Sequence, residues 1–409
     1  METSVVTSYR QVLMEHLEND RDISDEEILG LIDDLLTDSG RLPHVPLGER
    51  IELRMALFNS VRRLDILQEL LDDPSVTEVM VNGVRGIFLE RDGALIQWGK
   101  SFEKREKLED IVQQIVAGCN RAANESNAIV DARLTGGARV NVVMPPVALN
   151  GPIVTIRRFP EDPISMEKLI AWNSISAEVV GFLRKLVRAG YNIFISGGTG
   201  SGKTTFLNAL SDFIPKDERI ITIEDNAELQ IRGVPNLVRL EARRPNEEGE
   251  GQITIRDLIR ASLRMRPDRI IVGEVRGEET IDMLQSLNTG HDGSLSTGHG
   301  NSPRDMLSRL ETMVLMDLEI PIAAIRRQIA SGIDIMIHLS RMRDRSRRVL
   351  EIIEIDGYDT KTGEILTHTL YEFREQGEDE QGRLQGSLVR TGSLKNRGKL
   401  LRAGIELDD

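Results

Sequence analysis

The sequence predicts an α/β protein in which a largely parallel sheet covered by helices is preceded by a smaller α+β domain and an N-terminal helical extension. Three observations predict it. From about residue 165, short apolar runs alternate with helix-length amphipathic segments, the pattern of βαβ units. One of those runs, in YNIFISGGTGSGKTT at 191–205, passes directly into a glycine loop and then a helix. Upstream, between residues 69 and 162, several strand-like runs surround one helical segment, which reads as α+β.

The extension, residues 1–68, mixes acidic runs such as ENDRDISDEE with apolar residues at three- and four-residue spacing in EEILGLIDDLL and ERIELRMALFNSVRRLDILQELL, a helical periodicity. In the second segment, 69–162, TEVMVNG and GIFLERDGALIQW are strand-like with an Asp92-Gly93 turn, and a helix follows over FEKREKLEDIVQQIVAGCNRAA. IVDARL, ARVNVVMP and IVTIRRF give three more strands, ending near Phe159 with the Pro160 and Pro163 region as linker. The third segment, 163–356, holds YNIFIS, RIITIE, LVRLE, DRIIVGE and GSLSTG as strands, with helices after Lys203, over TIRDLIRASLRM and over EETIDMLQSLN. Binding is expected at the carboxyl ends of such strands. Two further helices precede a strand pair, DIMIHLSR and RRVLEIIEIDGY, around the basic tip RMRDRSRR. That tip reads as a solvated turn or as a dock for an acidic partner surface. Residues 357–409 are polar and turn-rich and read as a loosely packed tail; no internal repeat is visible.

A chain of 409 residues suits two or three domains. Its net charge of −14 argues against general electrostatic attachment to DNA, RNA or anionic lipid, and so against a helicase. The single Cys119 rules out an internal disulfide framework and suits a reducing cytoplasm, where it fills helix surface. No apolar run approaches the roughly 18 residues needed to span a bilayer. A cytoplasmic protein that reaches a membrane only through protein partners is expected.

Gly197, Gly202, Lys203 and Thr204 fit G-x-x-x-x-G-K-[ST], the phosphate-binding loop. Backbone N–H groups of Gly198, Thr199, Gly200, Ser201, Gly202, Thr204 and Thr205 are expected to curl around phosphate at a helix N-terminus. Lys203 supplies a point charge to the β- and γ-phosphates, and the Thr204 hydroxyl holds Mg²⁺. A nucleotide hydrolase also needs carboxylates near the γ-phosphate. Glu224, Asp225 and Glu228 follow one strand in ITIEDNAELQ, and Glu274 ends another in RIIVGEVRG, as a Walker B acid and Mg²⁺ contact should. His291 and His299, in TGHDGSLSTGHG, lack the neighbouring cysteine or third histidine that zinc would require. They read as satisfied core histidines or as sensors bonded to phosphate or a catalytic acid, with the sensor reading favoured for His291. Arg133, Arg139, Arg157 and Arg158 cluster before the third segment. Their guanidinium forks suit phosphate oxygens, whereas an exposed strand face or ion pairs would explain them structurally.

Together these boxes resemble the ATPases of type II and type IV secretion systems and type IV pili. More narrowly, VDARLTGGARVNVVMPP, IRRF, IEDNAELQI, LRMRPDRIIVGEVRGEET and DMLQSLNTGHDGSLSTGHGNSPRDMLSRLETMV resemble the CpaF/TadA branch, which serves Tad (Flp) pili. The resemblance implies a sensor-like (PAS-like) α+β domain and a RecA-like P-loop ATPase domain in a homohexameric ring, with ATP and Mg²⁺ between the domains. Lys203 and Thr204 become the nucleotide and metal contacts, with Asp225 and Glu228 beside them. Glu224 becomes the water-polarising residue, Glu274 the Walker B acid, His291 and His299 the histidine-box pair. Arg133, Arg139, Arg157 and Arg158 match arginines that reach phosphate as the domains close. Inner-membrane platform proteins are the implied partners. Gly136 and Ala138 stand where an acid and a serine are expected, and Gly298 and Gly300 where bulkier residues are usual. A conjugation-type secretion ATPase, a RecA-like nucleic-acid motor and a nucleotide-gated scaffold are the alternatives.

Overall fold

The computed structural model describes residues 3–17, 23–37, 43, 45–91, 93–119, 121–158, 163–245 and 249–407. Asp92 of the expected hairpin turn, and Phe159 and Pro160 of the expected linker, lie outside the described residues. The chain divides into two compact units, Met1–Glu161 and Asp162–Asp409.

The first unit opens with α1 (Thr3–Leu17), α2 (Asp25–Thr37) and α3 (Leu47–Arg62). Ser24 and Glu27 start α2 reciprocally: the Glu27 carboxylate accepts from Ser24 N at 2.8 Å and Ser24 Oγ accepts from Glu27 N at 3.3 Å, occupying amides the first turn leaves open. Ile28, Ile32 and Leu36 share the inner face of α2 and pack with Tyr9, Leu13, Leu53 and Leu57 in a core of their own. The periodic run over 49–71 is two helices. Arg63 N and Asp65 N both donate to Asn59 O, Asp65 takes a φ of 50°, and α4 (Ile66–Asp72) starts afresh.

Next come β1 (Val76–Asn82), β2 (Ile87–Arg91), β3 (Ala94–Gln97), α5 (Arg105–Ala117), β4 (Ile129–Arg133), β5 (Arg139–Val143) and β6 (Ile153–Arg157). The six strands form an antiparallel sheet in the order β3-β2-β1-β6-β5-β4. Period-two alternation sends Val140, Val142, Val154 and Ile156 inward against Leu108, Val112 and Ile115 of α5. Cys119 lies past the end of α5, where its Sγ accepts from Arg133 N at 3.2 Å.

The second unit runs α6 (Met166–Ala171), α7 (Ala177–Arg188), β7 (Ile193–Gly197), α8 (Lys203–Ser211), β8 (Ile220–Glu224), β9 (Leu237–Glu241), α9 (Ile255–Ser262), β10 (Arg269–Val275), α10 (Glu279–Leu287) and β11 (Leu295–His299). It continues with α11 (Pro303–Leu315), α12 (Ile322–Gly332), β12 (Ile335–Arg341), β13 (Arg347–Asp359), β14 (Glu364–Glu378), β15 (Leu384–Arg390) and α13 (Gly398–Arg402). The nine-stranded sheet has the order β15-β14-β13-β12-β7-β11-β10-β8-β9. From β12 to β9 every pairing is parallel, and β13 to β15 extend the sheet antiparallel. β7, buried on both sides, sends Ile193 and Ile195 into the core shared with α7 and α8, and Phe194 into the core shared with α10 to α12.

The expected loose tail is instead part of this unit. β14 and β15 complete the sheet, and Leu394 and Leu400 are buried in its core. Lys395 N and Asn396 N donate to the two oxygens of Glu354 at 2.7 Å each, and Asn396 O accepts from Tyr191 Oη. Lys399 Nζ lies 2.7 Å from both Asp334 and Asp292. Polar composition conceals this segment because its anchors are few and widely spaced.

Candidate functional site

Gly197 ends β7 between two parallel neighbours, opposite His299 of β11 and Leu339 of β12. A Cβ on Gly197 would stand 2.5 Å from both Leu339 O and Ser201 Oγ, so no larger residue fits there. The chain then turns back through Gly200 (φ 70°) and Gly202 (φ 92°), left-handed conformations that favour glycine. Ser201 Oγ donates to Gly198 O at 2.8 Å, and Phe206 N to Gly202 O at 2.8 Å as α8 begins. Gly198, Thr199, Gly200, Ser201 and Gly202 thus form one compact loop at the N-terminus of α8, with Thr204 and Thr205 half-buried on its first turn.

Lys203 is buried, which depresses its ammonium pKa, the charge of Glu274 acting in the opposite direction. Its Nζ donates to the carbonyls of Gly197 and Gly198 at 3.1 Å each and lies 3.2 Å from His299 Nδ1. His299 Nε2 is 2.7 Å from Glu274 Oε1. An ammonium on Nδ1 and a carboxylate on Nε2 fit a neutral ring protonated at Nε2. Burial first, and then the charge of Lys203, lower the imidazole pKa. The other Glu274 oxygen accepts from Arg276 Nε at 2.9 Å and Nη2 at 2.5 Å, while Arg276 Nη1 stands 3.6 Å from Asp225. Lysine, histidine, glutamate, arginine and aspartate form one continuous chain of contacts along the carboxyl ends of β7, β11, β10 and β8.

Glu224 is placed differently. It is 3% exposed at the end of β8, and its Oε1 accepts from Glu228 N and Leu229 N at 2.8 Å each. Burial pushes this carboxyl up to about 7, against the pull of those two amides. Its Oε2 is buried and has no hydrogen-bond partner among the described residues. Gly273 on β10 leaves it room, since a Cβ there would meet Glu224 Cγ at 2.8 Å. A cavity of about 270 Å³ opens beside these strand ends, lined by Asp225, Arg243, Arg244, Arg256, Arg276 and Glu278 among others.

His291 is not brought to the glycine loop. It precedes β11 at the amino edge of the sheet, where Nδ1 lies 3.3 Å from Ser286 O and its own carbonyl accepts from Ser294 Oγ. Of the two histidines expected at the site, the contacts among the described residues bring only His299 to the glycine loop. The glycines flanking His299 make space for core side chains: a Cβ on Gly298 would meet Met306 and Phe194 at 2.9 Å.

In the first unit, Arg133 faces Arg139 and Arg139 faces Arg157 across three neighbouring strands. The three guanidinium-bearing residues therefore form one row on the face away from α5. Arg158 does not join them. It lies beyond β6, and its Nη1 donates to the carbonyls of Asp73 and, at 3.1 Å, Val76.

Sequence reasoning did not single out Arg276, His338 or Arg347. Arg276 was visible within GEVRG. His338, buried on β12 with Nδ1 2.9 Å from Ser196 Oγ, showed only as one polar residue in an apolar strand. Arg347 sat within the basic tip.

Residues 61–380 match a protein-family model described as type II/IV secretion system protein. The chain is 36% identical over 293 residues to a putative conjugal transfer protein of Mycobacterium tuberculosis, covering 70% of this chain and 83% of the relative. It is similar to the type IV secretion system protein VirB11 of Brucella abortus, 34% identical over 338 residues, covering 75% and 92%. The conjugal transfer protein TrbB of Rhizobium radiobacter is 32% identical over 299 residues, covering 72% and 88%. Among solved structures, the pilus retraction motor PilT with bound ADP superposes with a TM-score of 0.52 at 19% identity, covering 84% of this chain and 86% of that one. At that identity the likeness concerns the fold alone.

Proposed function

The chain belongs to the type II/IV secretion system protein family, and we propose that it is an ATPase whose nucleotide-driven domain motion, in a hexameric ring, powers assembly of a Tad/Flp-type pilus through inner-membrane platform proteins. The observation that carries this reading is the glycine loop whose Lys203 is joined through His299 to the strand-end acid Glu274. The reading places the protein in the cytoplasm, peripheral to the inner membrane. No helix among the described residues is long and apolar enough to cross a membrane.

The residues fit a magnesium-bound nucleotide: the loop has no room for a Cβ at Gly197, and the hydroxyl and carboxylate donors are hard oxygen ligands. Thr204 and Glu274 would hold the ion, which when bound neutralises charge developing on the transferred phosphoryl group. Lys203 gives its ammonium to phosphate oxygens in place of the Gly197 and Gly198 carbonyls. His299 keeps lysine and acid in register, so that a shift of one is felt by the other. Glu224 accepts the proton of the attacking water, a role suited to a carboxyl with a pKa near the working pH. The phosphoryl group passes to water, releasing ADP and phosphate.

A second reading, a conjugation-type type IV secretion ATPase, is favoured by the TrbB and VirB11 relatives. Deleting the gene in its host and scoring piliation beside DNA transfer separates the two. For hydrolysis itself, Lys203→Ala should abolish ATP turnover while changing unfolding stability by less than about 1 kcal/mol, because the cost of burying the ammonium offsets its charge-assisted bonds to the Gly197 and Gly198 carbonyls. Near-parental turnover in the folded variant would sink the assignment.

A further inference from the structure

The basic hairpin between β12 and β13 has no part in that mechanism, yet it ends against the glycine loop. Arg347, the first residue of β13, donates from Nε to Gly200 O at 2.9 Å. Its Cδ lies 3.5 Å from where a Cβ on Gly202 would stand. Among the described residues no carboxylate pairs with this guanidinium. The hairpin around it is held on several sides. Arg343 donates to Glu375 at 2.8 and 2.5 Å and to Glu378 at 2.9 Å on β14. Asp344 accepts from Ser346 N and from Leu384 N at 2.9 Å each. Arg348 lies over the Phe373 ring, 5.3 Å from its centroid. The acidic surface that the basic tip meets is therefore on this chain's own β14.

An unneutralised guanidinium at the rim of the glycine loop matches phosphate oxygens in charge and in planar geometry. Its backbone is already ordered by the hairpin's anchors, so little further ordering opposes binding. In the sheet order β12-β7-β11-β10, Arg347 approaches the loop from the β12 side, whereas His299 and Glu274 approach from the β11 and β10 side. We propose that Arg347 is a nucleotide-binding residue that contacts the phosphate chain common to ATP and ADP. This rests on the reading of the loop as a nucleotide site. Because both nucleotides carry those phosphates, Arg347 strengthens binding of each alike and leaves the chemical step to the acids opposite.

The test is equilibrium binding of fluorescent ADP and of a fluorescent non-hydrolysable ATP analogue to the full chain, at low and high salt. The parental protein, Arg347→Gln, Arg347→Lys and Lys203→Ala are compared, with unfolding temperatures recorded for each. Glutamine keeps an N–H for the Gly200 carbonyl but lacks the charge. Arg347→Gln should weaken both ligands by roughly tenfold, the deficit should shrink as salt screens the contact, and lysine should recover part of it. Affinities for Arg347→Gln within twofold of parental would overturn the proposal and leave Arg347 as a brace for the loop. A parental protein that binds neither ligand, like Lys203→Ala, would instead overturn the reading of the loop on which it rests.

Discussion

At the residue scale, Glu224 makes a prediction its neighbours do not. Its carboxyl titrates near 7 in the folded protein because burial disfavours the charge, and near 4.5 when exposed. A folded pKa above the unfolded one stabilises fully below the unfolded value, and that contribution disappears as pH rises through the folded value. The window is therefore pH 4.5 to 7, over which this group alone would remove roughly 3 kcal/mol. Glu224→Gln keeps an acceptor for Glu228 N and Leu229 N but cannot ionise. Its stability relative to parental protein, measured by urea unfolding, should therefore rise from about pH 5 to about pH 7 and level off above that, while ATP binding persists and hydrolysis stops. A constant difference across that range would show the carboxylate to be solvated. The spacing of Lys203, Glu224 and Glu274 was legible in the sequence because loop, strand and helix are local. The burial of Glu224 was not, since it depends on Gly273 of a strand far along the chain.

At the element scale, the arginine row is a property of strand register. Arg133, Arg139 and Arg157 were visible as a cluster, but their alignment across β4, β5 and β6 follows from pairings that no single segment encodes. Like charges directly opposite one another in a sheet are unfavourable, by about 0.2–1 kcal/mol a pair. Replacing Arg133 or Arg157 with Ala should therefore change the stability of the first unit by no more than about 1 kcal/mol, and replacing Arg139, which faces both, by no more than about 2 kcal/mol. Turnover should nevertheless fall substantially, with a much smaller change in nucleotide affinity, as for a contact made mainly in the transition state. Steady-state hydrolysis and ligand binding on the same preparations decide this, with ring assembly followed by light scattering. Parental rates in all three assembled variants would make the row structural. The helix break at Asp65 was hidden for a related reason: the apolar spacing continues across it, and only the local backbone reveals the turn.

At the scale of the whole molecule, the segment after β15 was misread because its composition resembles an unstructured tail while its anchors are specific. Removing residues 391–409 withdraws Leu394 and Leu400 from the core and leaves Glu354, 1% exposed, without its amide donors. The loss expected in urea unfolding of the second unit is about 3–5 kcal/mol, as for a large buried truncation with unpaired polar groups. A loss under about 1 kcal/mol would return the segment to the status of a tail. The clasp between Tyr191 and Asn396 has a further consequence during synthesis. The two residues are 205 positions apart, which at about 5–20 residues per second is roughly 10–40 s of translation. Every strand of the first unit has been made by residue 157, so that unit can complete itself on the ribosome. The Tyr191 hydroxyl, just before the strand leading into the glycine loop, must meanwhile wait for its acceptor until Asn396 is synthesised. Ribosome-arrested chains should thus gain protease resistance in two steps, and nucleotide should protect only the second.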